Sequence, residues 1–307
     1  MQKGRSKDFI RLHTGILLAG TTGLFGRLIT LTELPLVWWR MLIATFVLWL
    51  ILRVFRPVAL PGPSQLLRMS GCGVLLATHW VLFYGSIKAS NVSIGVVCFA
   101  LTCFFTAVIE PFVGHRRFSW CELLLSMVTL AGILLIFGLN IQYRTGIIIG
   151  TFSSLIYTLF SIYSKRVQNK TGLPSTVLLL VELFSGWGAL SLVLVIYHFL
   201  FSSISLLPAG NDWFFVMLLA SIFTIGPFLT QLQALRSISA FTVNLSYNLE
   251  PIYSIALAII FFREDQELNL SFWIGILLIV LSVFLQTLME HKKLKNDFRF
   301  INIAESE

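Results

Sequence analysis

The sequence is poor in charged residues: only 12% of its 307 positions are Asp, Glu, Lys or Arg, about half the share of an ordinary soluble domain. Cysteine is also scarce. The four cysteines lie in apolar stretches without C-x-x-C spacing, so we expect buried, unreactive thiols. A G-x-x-x-x-G-K-[ST] phosphate loop is missing, which excludes ATP hydrolysis by this chain. These absences exclude a water-soluble fold and a disulfide scaffold.

Apolar residues are abundant instead: they make up 57% of the chain, and the mean hydropathy is +0.87. A helix needs about 20 mostly apolar residues to cross the hydrocarbon core of a bilayer. The sequence contains ten such runs and therefore predicts an all-α integral membrane fold with ten transmembrane helices. The predicted spans are 12–31, 36–53, 70–87, 92–113, 121–139, 146–164, 175–198, 213–234, 240–261 and 271–289.

Basic residues are distributed unevenly between the connections. With the N-terminus in the cytoplasm, 17 of the 22 Lys and Arg residues fall on the cytoplasmic side and three on the other side. This bias predicts ten crossings with both termini cytoplasmic, in the cytoplasmic (inner) membrane. Because the basic clusters separate apolar runs, we expect membrane lipid as a partner and no nucleic acid.

The two halves of the chain resemble each other. The segment Ile87–Gly95 matches Arg236–Asn244, and Thr14–Ala19 matches Thr145–Gly150. Small residues recur every four positions in both opening helices, which predicts close packing against neighbouring helices. An odd number of crossings per repeat inverts the second copy, as in alternating-access transporters. The repeats are expected at 12–139 and 146–289, between cytoplasmic segments at 1–11 and 290–307.

Several motifs resemble one known family. The pair Glu250-Pro251, the charged turn Phe262-Arg-Glu-Asp265 and the segment His79-Trp80 before Phe83-Tyr84 are similar to the EamA branch of the drug/metabolite transporter superfamily. The resemblance covers roughly residues 10–290. It implies a cytoplasmic-membrane transporter of small metabolites, often an exporter, with a central cavity between the two halves.

Ionisable side chains inside a crossing cost roughly 2.5–3.5 kcal/mol on insertion scales, so each needs a partner or a watery cavity. The predicted crossings contain Arg27, Arg40, His79, Glu110, Glu182 and Glu250. Arg27, Arg40 and Glu110 lie near helix ends, from which they can extend to an interface. Glu182 is expected to bond a neighbouring helix. His79 and Glu250 lie about nine or ten residues from their helix ends, so they are the first candidates for a solute or coupling role. The alternative is a neutral His or a protonated Glu that bonds another helix.

Prolines predict two helix breaks, both in the second half. Pro251 leaves the carbonyl of Tyr247 without its helical partner, and Pro227 does the same for Phe223. Interrupted backbone inside a membrane is tolerated where it meets protein or lines a cavity. Asn244, Tyr247, Asn248 and Pro251 share one helix face. The candidate substrate-binding or coupling residues are His79, Tyr84, Tyr157, Gln231, Asn244, Tyr247, Asn248 and Glu250.

The leading functional hypothesis is a secondary transporter, an exporter of a small metabolite, in which Glu250 or His79 exchanges a proton. The alternative is an integral membrane enzyme acting on a lipid or isoprenoid. The sequence has no H-E-x-x-H, no G-x-S-x-G and no Asp-rich pair, which disfavours that alternative. We predict no catalytic residue, metal, cofactor or ATPase subunit, and a small-molecule solute, with H+ as a candidate coupling ion, as the partner.

Overall fold

The computed structural model describes residues 2–55, 61–113, 118–137, 143–200, 205–264, 270–282, 284–285 and 288–289, with the backbone alone for residues 2–9. Within these ranges all regular structure is helical and no strand occurs. The predicted tail at 290–307 lies outside the described residues. The helices are α1 (Gln2–Ala19), α2 (Thr22–Leu28), α3 (Glu33–Phe55), α4 (Pro63–Lys88), α5 (Val92–Phe99), α6 (Leu101–Val113), α7 (Trp120–Phe137), α8 (Arg144–Thr171), α9 (Ser175–Leu200), α10 (Asp212–Leu235), α11 (Ala240–Ser246), α12 (Glu250–Phe262) and α13 (Leu270–Ser282).

Within the described residues, seven helices are long and apolar enough to cross a bilayer, counting α5 with α6 and α11 with α12 as one each. The other five are α3, α4, α8, α9 and α10. Large apolar side chains cover the outside: Leu67, Phe199 and Ile260 are between 72% and 83% exposed. Lipid accommodates such a surface, whereas water does not. The chain is therefore an all-α integral membrane protein.

Two crossings that the sequence predicts as continuous are interrupted. The first breaks at Gly20 and Thr21, between α1 and α2, and the fourth breaks at Ala100, between α5 and α6. Neither site contains a proline, and the sequence did not predict either break. In both places the interruption depends on contacts with other helices, which are described below.

The two proline predictions have different outcomes. The break before Pro251 is confirmed, because α11 ends at Ser246 and a 3₁₀ turn, Tyr247–Leu249, joins it to α12. The predicted break at Pro227 is wrong, since α10 continues through it from Asp212 to Leu235. The Thr230 hydroxyl donates a hydrogen bond of 2.8 Å to the Pro227 carbonyl, one turn further along the same helix.

Small residues form the helix contacts, as predicted. A Cβ atom on Gly15 would collide with Thr230 of α10, and one on Gly146 would collide with Ser90, which follows α4. Gly150 lies equally close to Cys98 of α5. These contacts join α1 to α10 and α8 to α4 and α5, while α3 packs against α9 and α10.

The cysteines follow the prediction with one exception. Cys72, Cys98 and Cys103 are buried, but Cys121, in the first turn of α7, is exposed. Its thiol lies 3.5 Å from the sulfur atom of Met289.

Candidate functional site

A small cavity lies where the interrupted helices meet. Phe99 lies at the α5–α6 break, Tyr247 and Glu250 at the α11–α12 break, and Ala19 and Thr22 on either side of the α1–α2 break. The remaining lining residues come from α3, α4, α8 and α10: Arg40, His79, Trp80, Phe83, Tyr157, Phe223, Pro227 and Phe228. All lining residues except Phe223 are buried, so the cavity is enclosed by protein.

Backbone carbonyls freed at the α1–α2 break are bonded by side chains from other helices. Ser254 of α12 donates a hydrogen bond of 2.6 Å to the carbonyl of Gly20. The hydroxyl of Tyr84 on α4 donates one of 3.3 Å to the carbonyl of Thr22. Since an unpaired carbonyl in the membrane interior is costly, these donors stabilise the interruption beside the cavity.

Arg40 is the cation of the cavity. Its side chain is 1% exposed. Nε donates a hydrogen bond of 2.7 Å to the Thr224 hydroxyl, and Nη1 donates one of 3.0 Å to the Tyr84 hydroxyl. The guanidinium carbon lies 3.7 Å from the centre of the Trp80 ring, in cation–π geometry. The expectation that Arg40 extends to an interface is wrong, because the side chain points into the helix bundle and not along the helix towards its end.

His79 is held by a reciprocal pair of bonds with Ser153 of α8. The Ser153 hydroxyl donates to the His79 carbonyl at 3.0 Å, and His79 Nδ1 lies 3.1 Å from the Ser153 carbonyl. With the hydroxyl proton used in the first bond, Nδ1–H donates in the second and Nε2 is left as an acceptor. The ring packs against Tyr157 and Phe99, with centroids 4.7 Å and 5.5 Å away.

Glu250 is the carboxyl group of the cavity and the first residue of α12. It is 6% exposed and shares the cavity wall with Arg40. In the described part of the chain, no basic side chain lies within salt-bridge distance of it. The cavity therefore contains a cation and an acid that are not in direct contact.

The structure brings four of the eight predicted site residues to the cavity wall: His79, Tyr157, Tyr247 and Glu250. Tyr84 lies behind Arg40, as its hydrogen-bond acceptor. Thus five of the eight belong to one connected site.

The other three predicted residues lie elsewhere in the core. Asn244 joins three helices, because its side chain accepts a hydrogen bond from Ser161 of α8 and donates one to Thr106 of α6. Gln231 and Asn248 are buried, and neither amide has a hydrogen-bond partner among the described residues. The interruption of the helix after Ser246 ends the single polar face that the sequence predicts.

Glu182 has the structural role that the sequence predicts. Its Oε1 accepts a hydrogen bond of 2.8 Å from Ser164 of α8, and the residue is fully buried between helices. It does not line the cavity.

Arg27 and Glu110, which were expected to extend to an interface, both have partners within the protein. Arg27 forms a salt bridge of 2.8 Å with Glu264, which follows α12. Glu264 also accepts hydrogen bonds from the backbone N–H groups of Val92 and Ser93, at 3.2 Å and 3.0 Å, and from the Ser93 hydroxyl. We call this set, at the N-terminus of α5, the Glu264 contact.

A second carboxylate binds the N-terminus of α11. Glu110 is 5% exposed and its Oε2 accepts a hydrogen bond of 3.2 Å from the backbone N–H of Phe241. We call this the Glu110 contact. Because α5 and α6 follow each other along one crossing, the two contacts lie at opposite ends of the bundle, roughly 25 Å apart at 1.5 Å per residue. A negative charge at a helix N-terminus interacts favourably with the helix dipole.

The sequence did not identify Arg40 as a cavity residue or the aromatic residues Phe99 and Phe228. Distance from the helix end, the criterion applied to Arg40, measures depth but not direction. The two phenylalanines are hidden among 27 in the chain.

The fold and the cavity define a class of protein: a helical membrane protein that encloses a polar site between broken helices. The model of the EamA-like transporter family matches residues 11–138 and again 144–288. The chain belongs to the EamA-like transporter family. This membership points to a transporter, with a small-molecule solute as partner, rather than to an enzyme acting on lipid.

Two individual proteins are similar over most of the chain. An uncharacterized transporter, YxxF of Bacillus subtilis (strain 168), is 24% identical over 274 residues, which are 86% of this chain and 85% of that protein. A protein of known crystal structure with 21% identity superposes with a TM-score of 0.69, covering 93% of this chain and 98% of that chain. The second similarity shows a shared fold.

Proposed function

We propose that this chain is a secondary transporter that exports a small metabolite across the cytoplasmic membrane by alternating access. The observation that carries the proposal is the buried cavity at the meeting point of three interrupted helices. Discontinuous helices supply polar backbone at mid-membrane and are typical of solute sites in secondary transporters. Export is the direction that the resemblance to EamA exporters suggests.

The architecture we propose is ten crossings in two inverted repeats, 12–139 and 146–289. The interrupted helices support this assignment. Two of the interrupted crossings, α5–α6 and α11–α12, begin with a capping side chain. Asn91 accepts a hydrogen bond from the N–H of Ile94, and Ser239 accepts one from the N–H of Thr242. Asn91 and Ser239 are 148 positions apart, one fewer than the 149 between the matched segments Ile87–Gly95 and Arg236–Asn244, so the capping residues shift the sequence match by one position. The helices that follow the breaks, α6 and α12, both contain 13 residues.

Helix packing supports the same assignment. Exchanging the repeats makes α1 with α2 equivalent to α8, α3 equivalent to α9, and α4 equivalent to α10. The contact of α1 with α10 then corresponds to that of α8 with α4, and the contact of α3 with α10 corresponds to that of α9 with α4; all four occur. A pseudo-two-fold axis in the membrane plane relates such pairs.

The two end contacts also correspond to each other. Ser93 and Phe241, whose N–H groups bind Glu264 and Glu110, are 148 positions apart and each is the second residue of its helix. With both contacts formed, the cavity is closed at both ends. We interpret this as the occluded state, from which release of the Glu264 contact opens one end and release of the Glu110 contact opens the other.

Proton exchange at Glu250 or His79 is the coupling mechanism we propose. Both line the cavity, so each becomes accessible to water whenever one end opens. A side chain that takes up a proton on one face and releases it on the other links solute movement to the proton gradient.

Paired cysteines test the inverted arrangement. Ala89 and Ser237 are exposed and 148 positions apart, just before α5 and α11. In a Cys121→Ser background, we expect an impermeant maleimide to label Ala89→Cys only from outside intact cells and Ser237→Cys only from the cytoplasmic side. Labelling of both from one side contradicts the inverted repeats and the cytoplasmic N-terminus together.

Transport itself is tested in liposomes that contain the purified protein and are loaded with a small-molecule extract of cells. We expect selective loss of at least one component, measured by mass spectrometry, compared with protein-free liposomes. Equal retention of every component, with and without a proton gradient, contradicts the proposal.

A further inference from the structure

The Arg40 side chain is a buried cation with an incomplete set of partners. Its two hydrogen-bond acceptors, Thr224 and Tyr84, are neutral hydroxyl groups. Among the described residues, nothing accepts a hydrogen bond from Nη2, and no carboxylate lies within salt-bridge distance. Buried charges in proteins are paired or bind ions, because removal from water is costly.

The cavity offers the missing partner a defined place. Arg40 and Glu250 both line it without forming a salt bridge with each other. Trp80 covers one face of the guanidinium, at 3.7 Å, so a ligand approaches through the edge that carries Nη2. A carboxylate accepts hydrogen bonds from that edge in the geometry that Arg prefers.

The aromatic residues of the cavity wall indicate the shape and polarity of the rest of the ligand. Phe99 and Tyr157 pack edge-to-face with centroids 4.6 Å apart, and Phe228 packs in the same way on Trp80, at 4.9 Å. Such a wall favours a planar or apolar body. The free space in this state is about 30 Å³, room for roughly two water molecules, so the cavity must widen to admit such a body.

With Glu250 protonated, the charge balance limits the ligand to one negative charge, because Arg40 then carries the only formal charge among the lining residues. Arg40 is the only Lys or Arg among the lining residues, and Glu250 contributes an acid to the same cavity. A dianion, such as a phosphate monoester, would leave a second charge unpaired in a medium of low dielectric constant.

We propose that the cavity binds a small organic monoanion, with a carboxylate on Nη2 of Arg40 and an aromatic or apolar body against Phe99, Tyr157 and Phe228. The inference rests on the proposed function in taking this cavity as the solute site. It assigns Arg40 as the residue that selects the charge of the solute.

The test uses three pairs of probes that differ only in charge: benzoate, phenylacetate and indole-3-acetate, each against its own amide, with phenethylamine as the cation. Binding to the purified protein in detergent is measured by thermal unfolding and by quenching of tryptophan fluorescence, since Trp80 touches the guanidinium. We expect at least one carboxylate to bind about tenfold more tightly than its amide, the order expected for a hydrogen bond to a charged group.

Variants on one helix provide the matched comparison. Arg40→Gln removes the charge inside the cavity, and Arg53→Gln makes the same change at an exposed position of α3. We expect Arg40→Gln to abolish the preference for carboxylate over amide, Arg40→Lys to retain part of it, and Arg53→Gln to match the wild type. If Arg40→Gln does not fold, the inference is tested by the binding of the carboxylate, amide and amine probes to the wild type and to Arg40→Lys.

Four results overturn the inference: binding by none of the probes, equal binding of carboxylate and amide, a preference for phenethylamine, or a carboxylate preference that persists in Arg40→Gln. Displacement by chloride or acetate as tight as that by the aryl carboxylates also overturns it, because the site then binds simple anions only. Failure of transport is a separate result. Charge-selective binding without flux in liposomes contradicts the proposed function alone, and flux of an uncharged or cationic solute contradicts the anion site alone.

Discussion

At the scale of single residues, the buried ionisable groups are of two kinds, those that lie away from the cavity and those that line it. Glu110 and Glu182 bind groups on neighbouring helices and hold the bundle together. Arg40 and His79 also bond other helices, through Thr224 and Ser153, but together with Glu250 they line the cavity. A group on the cavity wall is available to a solute or a proton, and for this reason we propose functional roles for these three residues.

Glu250→Gln should remove the dependence of transport on the proton gradient. Glutamine keeps the size and polarity of the side chain but cannot release a proton between pH 5 and 9. We expect flux of the transported component, measured in liposomes at several imposed pH gradients, to become equal at all of them.

Glu182→Gln is the matched control, since it makes the same change at a buried carboxyl outside the cavity. Its amide oxygen still accepts the bond from Ser164, so flux should continue to follow the gradient. Flux that follows the gradient equally in wild type and Glu250→Gln would assign the coupling to His79 or to no proton at all.

At the scale of helices, hydropathy predicts where the chain crosses but not where a crossing breaks. The break before Pro251 was predictable because proline lacks an N–H group. At the break at Ala100, the Thr102 hydroxyl donates a local hydrogen bond of 2.5 Å to the Phe99 carbonyl. The hydroxyl of Ser154 on α8 also donates a hydrogen bond of 2.7 Å to the carbonyl of Cys98 there. At the α1–α2 break, the hydroxyl of Ser254 donates one to the carbonyl of Gly20. Donors far along the chain cannot be identified from the broken segment itself.

The candidate site was also predictable only in part. His79 and Glu250 were identified because their depth in the membrane is read directly from the distance to helix ends. Arg40 was not, because the direction of its side chain depends on Thr224 and Tyr84, on two other helices. Depth is a property of one helix, whereas direction depends on several.

Close helix packing leads to a stability prediction on α9. A Cβ atom on Gly186 would meet the carbonyl oxygen of Gly73 on α4 and the side chain of Met41 on α3, but one on Gly188, two residues further along, would meet nothing within 4 Å. Gly186→Ala should therefore destabilise the protein by about 1–3 kcal/mol through overpacking. Gly188→Ala should be neutral or stabilising by up to about 1 kcal/mol, because alanine favours the helix.

The midpoint of thermal unfolding in detergent measures the stability of both variants. The expected order of midpoints is Gly188→Ala at or above wild type and Gly186→Ala below it. Equal midpoints for the two variants would mean that α9 and α4 are further apart than the structure places them.

At the scale of the whole molecule, we propose that the two end contacts are the points at which the two halves hold each other closed. The Glu264 contact joins the end of α12 to α2 and α5, and the Glu110 contact joins α6 to α11. Each of them is a carboxylate bound to backbone N–H groups, and hydrogen bonds to charged groups contribute about 1.5–3 kcal/mol. Alternating access requires that only one of the two be released at a time.

Weakening one contact should therefore open the cavity towards one side only. Ala19 is a small residue of the cavity wall, and Ala19→Cys in a Cys121→Ser background reports the arrival of an impermeant maleimide. Glu264→Gln should increase labelling from the side on which Ala89→Cys reacts, and Glu110→Gln should increase it from the side on which Ser237→Cys reacts. A loss of 1.5 kcal/mol or more shifts the equilibrium by about tenfold, so the rate should rise by a similar factor. If either substitution raises labelling from both sides equally, the cavity opens by general loosening of the bundle and the two contacts are not separate gates.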